Sequence, residues 1–341
     1  MASKITQEYR KSVADMFIKC LEEETLDWKK NWAGLGTPVN FSSHAQYKGV
    51  NKFYLTVVMM KHGWEDNRFM TFNQIKAKGL KLKAGSHGAK VEYWMPFDVK
   101  QKKALNWKEY KELIKGMPDD EIENRFGLTA KYYTVFNGTM IEGLPEFKLE
   151  KNMDIEPDQV IEQISKGMGV EILHDGGDRA FYRGSEDKIH LPVPGAFNTS
   201  YDYNCTALHE LGHATGAAHR LNRDMGGGFG SKEYAREELV AEITSAFMGV
   251  YLGDNSKATE QDFNNHKAYV QDWISAIKEK PETLFNAIKQ AEAAADYMEK
   301  AGDLVKEKVV SLEEIKEKRG EKKSTVEGVK EQEPEEMEMW C

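Results

Sequence analysis

The run His209-Glu210-Leu211-Gly212-His213 sets two histidines four residues apart, with a carboxylate beside the first. On a helix, positions i and i+4 share a face, so both rings can reach one metal ion. The glutamate lies where it can take a proton from a water on that metal. A zinc ion lowers the pKa of such a water to about 7, which makes it a nucleophile at neutral pH. The pattern points to hydrolysis, with His209 and His213 as ligands, Glu210 as general base and one Zn2+ as cofactor. Other divalent metals can take the same donors. The alternative, two metal-free histidines buried on a core helix, would leave several polar groups needing partners.

A third ligand is required, and two residues can supply it. The string His209-Glu210-x-x-His213-x-x-Gly216-x-x-His219 matches the three-histidine metzincin pattern, in which Gly216 would break the helix and let His219 swing back. The other is Glu238, within Tyr234-Ala235-Arg236-Glu237-Glu238-Leu239-Val240-Ala241-Glu242. There the third ligand comes from a second helix, and Glu242, one turn on, could accept a hydrogen bond from a ligand histidine. The plainer reading of that run is a solvated acidic face, but Leu239, Val240, Ile243 and Phe247 interleave with it. No clear methionine-containing turn follows, so Glu238 is favoured and His219 stays the alternative. Tyr201, Tyr203 or Tyr234 is expected to steady a developing oxyanion.

These residues need elements to hold them. Residues 204–218 and 232–252 carry helical patterns, as does most of 261–304, with Pro281 starting a new helix. Strands are expected at Met168–Leu173 and Ala180–Leu191, with Asp175-Gly176-Gly177-Asp178 as a turn. Further upstream, Ile5, Tyr9, Val13, Phe17 and Leu21 stand four apart on one face of an amphipathic helix. Phe72–Lys78 reads as a short helix ending at Gly79. Leu80–Met95 reads as a hairpin around Lys83-Ala84-Gly85-Ser86-His87-Gly88, and Tyr132–Asn137 as a strand. Residues 98–128, dense in charge, read as a helical insertion. The polar stretch Pro145 to Pro157 is the expected boundary between a domain at 1–150 and one at 151–305. Beyond it, 306–341 reads as a charged, disordered tail.

The 341 residues suit two domains, and 40% hydrophobic with 30% charged residues is enough to bury ordinary cores. No apolar run approaches the roughly 18 residues of a membrane helix, and the first twenty lack a signal-peptide core. The cysteines, Cys20, Cys205 and Cys341, are odd in number and sparse, which suits a reducing compartment. The expectation is a cytoplasmic protein with no membrane partner. Net charge is −9, but residues 1–150 hold 24 Lys and Arg against 19 Asp and Glu, while 151–341 hold 23 against 37. Within 29–90 there are 11 basic residues and only Glu65 and Asp66 acidic, a patch that can hold a polyanion.

The segment His209 to Gly216, then Arg220-Leu221-Asn222-Arg223, Tyr234 and Glu237 to Glu242, resembles the C-terminal metallopeptidase domain of ArdC-type antirestriction proteins. The N-terminal part is similar to that family's single-stranded-DNA-binding domain at Thr25 to Trp32, Pro38-Val39-Asn40, Tyr47 to Asn51, Thr71 to Gln74 and Lys83 to Gly88. The likeness runs over roughly 3–300 in order. It departs at Ala214, where the family often has Trp, at the segment 98–128 and at the acidic tail. The resemblance implies an α+β chain: an N-terminal α+β domain that binds single-stranded DNA, followed by a zincin-like metallopeptidase domain. It implies carriage on plasmids, phages or other mobile elements, protection of incoming DNA from restriction enzymes, and a protein substrate such as a component of a restriction system.

Binding a single strand without sequence preference needs a basic groove for phosphates and aromatic faces for bases, worth about 1–3 kcal/mol per base. Lys29, Lys30, Lys48, Lys52, Arg68, Lys76, Lys81 and Lys83 are basic candidates, and Asn51 and Gln74 could hydrogen-bond bases or phosphates. Among Trp28, Trp32, Tyr47, Tyr54, Trp64 and Phe72, a domain this small needs most as core. Tyr47, in a polar loop, is the residue expected to stack. Composition supports a polyanion; the preference for single strands rests on the resemblance. Two other readings remain: a DNA-masking protein with a structural metal site, and a regulatory metalloprotease whose N-terminal domain binds protein.

Overall fold

The computed structural model describes residues 4–22, 35–147, 157–226, 231–252 and 263–304. The tail at 306–341, most of the expected linker, and Trp28, Lys29, Lys30 and Trp32 lie outside the described residues.

Helix α1 (Lys4–Glu22) opens the chain. β1 (Val39–Asn40), α2 (Gly49–His62), β2 (Arg68–Thr71), α3 (Phe72–Ala77) and β3 (Lys81–Leu82) follow. Two long strands, β4 (Ala89–Asp98) and β6 (Phe126–Asn137), pair antiparallel from Ala89 against Val135 to Asp98 against Phe126. The five-stranded sheet has the order β1-β2-β6-β4-β5, with β5 at Lys103–Ala104. Between β5 and β6 lie α4 (Trp107–Leu113) and α5 (Asp119–Arg125), neither burying a residue. The segment 98–128 is therefore not the helical insertion its charge suggests. Two short helices occupy less than half of it, and the end of β4, all of β5 and the start of β6 supply strand, so that it closes a long ladder with Arg125 on Asp98 at 2.8 Å.

The expected hairpin at Leu80–Met95 does not form. β3 pairs with β7 (Ile141–Glu142), while β4 pairs with β6. The glycine-rich run between β3 and β4 marks a change of sheet. A Cβ on Gly88 would meet Thr134 Cγ2 at 2.5 Å and the Val135 carbonyl at 2.7 Å, so this glycine serves the entry into the β4–β6 ladder.

The second half contains α6 (Pro157–Met168), β8 (Glu171–Leu173), β9 (Phe181–Arg183) and β10 (Lys188–His190). β10 is central, parallel to β8 and antiparallel to β9. Among the described residues there follow the helices α7 (Ser200–Ala214), α8 (Lys232–Met248), α9 (Phe263–Glu279) and α10 (Glu282–Ala301). One core gathers Ile164, Ile189, Leu208, Leu211, Leu239, Phe247, Trp273 and Ile288. The stripe on α1 joins this core through Tyr9, Val13, Phe17 and Leu21, and Phe53 and Val57 of α2 enter beside it; only Ile5 of the stripe stays exposed. The largest apolar core therefore crosses the position expected for the domain boundary. Among the described residues no helix is long and apolar enough to cross a membrane.

Candidate metal centre

α7 starts at Thr199, whose hydroxyl accepts from the Asp202 amide at 3.1 Å, and α8 at Ser231, which accepts from Tyr234 at 3.1 Å. Such caps satisfy amides that a helix start leaves unpaired. The two helices approach closely at Gly212, where a Cβ would touch Ala241 and Thr244 at 3.5 Å. α9 braces the pair: Trp273 Nε1 donates to the Ala235 carbonyl at 2.8 Å. The close contact turns the His209/His213 face of α7 onto the Glu238/Glu242 face of α8.

His209 Nε2 and His213 Nε2 stand 3.1 Å apart with their rings nearly perpendicular. Glu238 spans them, Oε2 at 3.4 Å from His209 Nε2 and Oε1 at 3.5 Å from His213 Nε2. Among the described residues, His209, His213 and Glu238 form the one set of three donors placed to hold a metal ion. A tetrahedral zinc at about 2.0–2.1 Å from each donor sets donors about 3.3–3.4 Å apart. The observed spacing fits. The outer nitrogens are held as well: His209 Nδ1 lies 3.3 Å from Glu242 Oε2, and His213 Nδ1 lies 3.2 Å from Glu237 Oε1. Glu210 is buried beside both rings.

The electrostatics also fit a cation. Burial disfavours charge on His213, but hydrogen bonds with Glu237 and Glu238 outweigh it and lift the ring to about 10. His209 is raised too, burial being outweighed by Glu238 and Glu242. Burial would raise Glu238, yet the two rings hold it far below the ordinary carboxylate range. A pocket that draws protons onto two buried imidazoles offers the same field to a divalent ion.

His219 is not part of this set. It is 62% exposed and pairs with Asp187 at 3.2 Å. The chain does turn after Ala214, but the turn sends Arg220 inward rather than His219. Arg220 donates to Asp187 at 2.8 and 2.7 Å and to the Ala214 carbonyl at 3.0 Å. Arg223 follows it in, reaching Glu237. No local spacing marks Arg223 or Glu237. Glu237 immediately precedes Glu238 and so lies about 100° round the helix from it, unlike Glu242 one turn on, and it meets His213 only through the packing of α8 on α7. Tyr201 packs in the core, and the Tyr203 hydroxyl lies 3.1 Å from His174 Nε2.

The expected DNA contacts divide sharply. Tyr47 is only 2% exposed and edge-on to Phe69, so it is core and cannot offer a face to a base. Its loop is polar, but the Tyr47 amide bonds the Pro38 carbonyl at 2.9 Å and draws the ring inward. Asn51 spends its amide on the Glu92 backbone at 2.7 and 3.0 Å. Lys52 is buried with Nζ 4.3 Å over the Phe247 ring. Arg68 is neutralised by Asp66 at 2.7 Å, and Gln74 closes the capping box of α3 with Thr71. Lys48, Lys81 and Lys83 are exposed, Lys83 donating to the Thr139 carbonyl at 2.7 Å. Phe72, at the start of α3, is 55% exposed, with exposed Lys76 one turn away.

Residues 159–290 match the zincin-like metallopeptidase family, and residues 7–136 match the N-terminal domain of anti-restriction factor ArdC. The chain is similar in structure to the antirestriction ArdC protein from the R388 plasmid, solved with Mn(II) and metal-free. The Mn(II)-bound structure has a TM-score of 0.66, 26% identity, and coverage of 87% of this chain and 99% of that one. The uncharacterized protein y4eC of Sinorhizobium fredii is 30% identical over 290 residues, 84% of this chain and 90% of that one. Two Escherichia coli DNA primases TraC are 38% and 35% identical, and the chain spans only 20% and 27% of their length. The fold and site thus define a mixed α+β protein that joins an ArdC N-terminal domain to a zincin-like metallopeptidase domain. The chain belongs to the ArdC-type antirestriction family.

Proposed function

We propose that this protein shields the DNA of a mobile element from restriction by binding single strands with its N-terminal half and hydrolysing peptide bonds at the α7–α8 centre. The convergence of His209, His213 and Glu238 on one point, with Glu210 buried beside it, carries the hydrolytic reading. The ion is zinc, on the chemistry of two imidazoles and one carboxylate. When bound, it supplies a Lewis acid that polarises a peptide carbonyl and acidifies a water. Glu210 takes the proton of the attacking water and delivers it to the leaving amine. Glu242 and Glu237 keep the two rings oriented through their Nδ1 atoms. The substrate is a protein, with a restriction-system component as the first candidate. The plasmid origin of the R388 relative supports the setting, and the cytoplasm is where an incoming element meets restriction enzymes.

Exposed Phe72 beside Lys76, with Lys78, Lys81 and Lys83 exposed further along, supports the DNA half. An aromatic face among cations and the near absence of acidic residues from 29–90 suit a single strand. Phe72 takes the stacking role first expected of Tyr47.

Glu210→Gln tests the hydrolytic reading. The variant should bind zinc and DNA like the wild type but lose cleavage of a peptide library and lose protection of transferred DNA. Undiminished protection refutes proteolysis as the mechanism and leaves masking by DNA binding.

A further inference from the structure

Arg223 reaches Glu237 with both prongs of its guanidinium, Nε to Oε2 at 3.0 Å and Nη2 to Oε1 at 2.6 Å. The same guanidinium is anchored on α7: Nη2 donates to the Gly212 carbonyl at 2.8 Å and Nη1 to the Thr215 hydroxyl at 2.5 Å. Both members of the pair are buried. Glu237 Oε1 in turn meets His213 Nδ1 at 3.2 Å. The contacts form a ring that leaves α7 at Gly212, passes through Arg223 and Glu237, and returns to α7 at His213.

The backbone is arranged for this reach. Asn222 adopts a left-handed φ of +47°, and the Arg223 amide bonds the Gly216 carbonyl at 3.0 Å. A Cβ on Gly216 would lie 3.0–3.1 Å from the guanidinium and 2.6 Å from Met225 Sδ. Gly216, the glycine of the metzincin-like string, keeps open the lane that Arg223 occupies.

We infer that Arg223 and Glu237 are a positioning pair for His213. A ligand imidazole must be neutral, with its lone pair on the nitrogen that faces the metal. Donation of Nδ1–H to Glu237 selects that tautomer and fixes the ring's rotation. A buried carboxylate alone can turn about its last bond; a two-pronged guanidinium holds both oxygens in one plane. Because Arg223 is itself tied to Gly212 and Thr215, the carboxylate is referenced to the helix that carries His213. A lysine ammonium keeps the charge but lacks the fork.

The inference rests on the metal reading above. The test uses the full chain with Zn2+ alone, in competition with a chromophoric chelator, and Co2+ as a spectroscopic probe. Arg223→Lys and Glu237→Gln should each weaken Zn2+ binding about 10–100-fold and change the visible Co2+ spectrum. The double variant should bind no more weakly than the weaker single, because both act through one bond to His213. Single variants with wild-type affinity and spectrum overturn the pair. So do losses that multiply in the double variant to within about twofold. If Arg223→Lys fails to fold, Glu237→Gln, which keeps shape and an acceptor oxygen, decides alone. A wild-type chain that binds neither ion overturns the metal reading itself and the pair with it, whereas normal wild-type binding with unaffected variants overturns only the pair.

Discussion

Replacing Arg220 with Met removes the cation that ties the turn between β9 and β10 to the exit of α7. The Arg220 side chain is 2% exposed, against 31% for Asp187, and it donates to both Asp187 oxygens and to the carbonyls of Ala214 and Met168. Its hydrogen bonds, ahead of the opposing burial and with smaller help from the Tyr182 hydroxyl and His219, hold the Asp187 carboxyl at about 2, down from 3.8. At full weight that depression corresponds to about 2.4 kcal/mol. Nearly a third of the Asp187 side chain meets water, and Tyr182 and His219 stay in place in the variant, so the share lost with Arg220 is roughly 1 kcal/mol. The two carbonyls lose a charged donor, at about 1 kcal/mol each. The expected cost is about 3 kcal/mol, at the low end for breaking a buried pair. Asp187 is more acidic folded than unfolded, so its contribution is complete above about pH 4 and fades as the pH falls towards 2. Urea unfolding with chelator present, at pH 6 and pH 2.5, should show the gap between wild type and Arg220→Met narrowing by roughly 1 kcal/mol at the lower pH. A gap under about 1 kcal/mol at pH 6, or one unchanged at pH 2.5, refutes the clamp.

Glu238→Gln should weaken Zn2+ binding more than about 100-fold, beyond the loss typical of an outer partner, while His219→Ala leaves it unchanged; the reverse order in a chelator competition restores the three-histidine site. Metal uptake at pH 7.5 should release at least one proton, because His213 is held protonated up to about 10 without the ion. Affinity then falls as the pH drops, and calorimetry in buffers of different ionisation enthalpy counts the protons. Phe72→Ala should weaken binding to a single-stranded oligonucleotide by about 1–3 kcal/mol, read by gel shift, while Tyr47→Phe does not; equal losses would return Tyr47 to the interface.

The two histidines and Glu210 are legible because a five-residue helical motif fixes its own geometry: i and i+4 share a face wherever the helix lies. Glu238 and Glu242 are legible for the same reason, as are the stripe on α1 and the short helix after Thr71. The choice between Glu238 and His219 is not local. It depends on α7 and α8 meeting at Gly212 and on a turn that brings Arg220 and Arg223 inward instead of His219. The hairpin reading failed because a glycine-rich run looks alike whether it joins partners or separates sheets; β3 found its partner at β7, about sixty residues away. Side-chain type likewise cannot say which face of the N-terminal half is outside. Tyr47, Asn51 and Lys52 have the chemistry of a nucleic-acid contact, yet each is buried, Lys52 against Phe247 of the glutamate helix. Local spacing determined which residues could do chemistry. Long-range packing decided which of them meet, because burial and ligand distance depend on pairs of elements far apart in the chain.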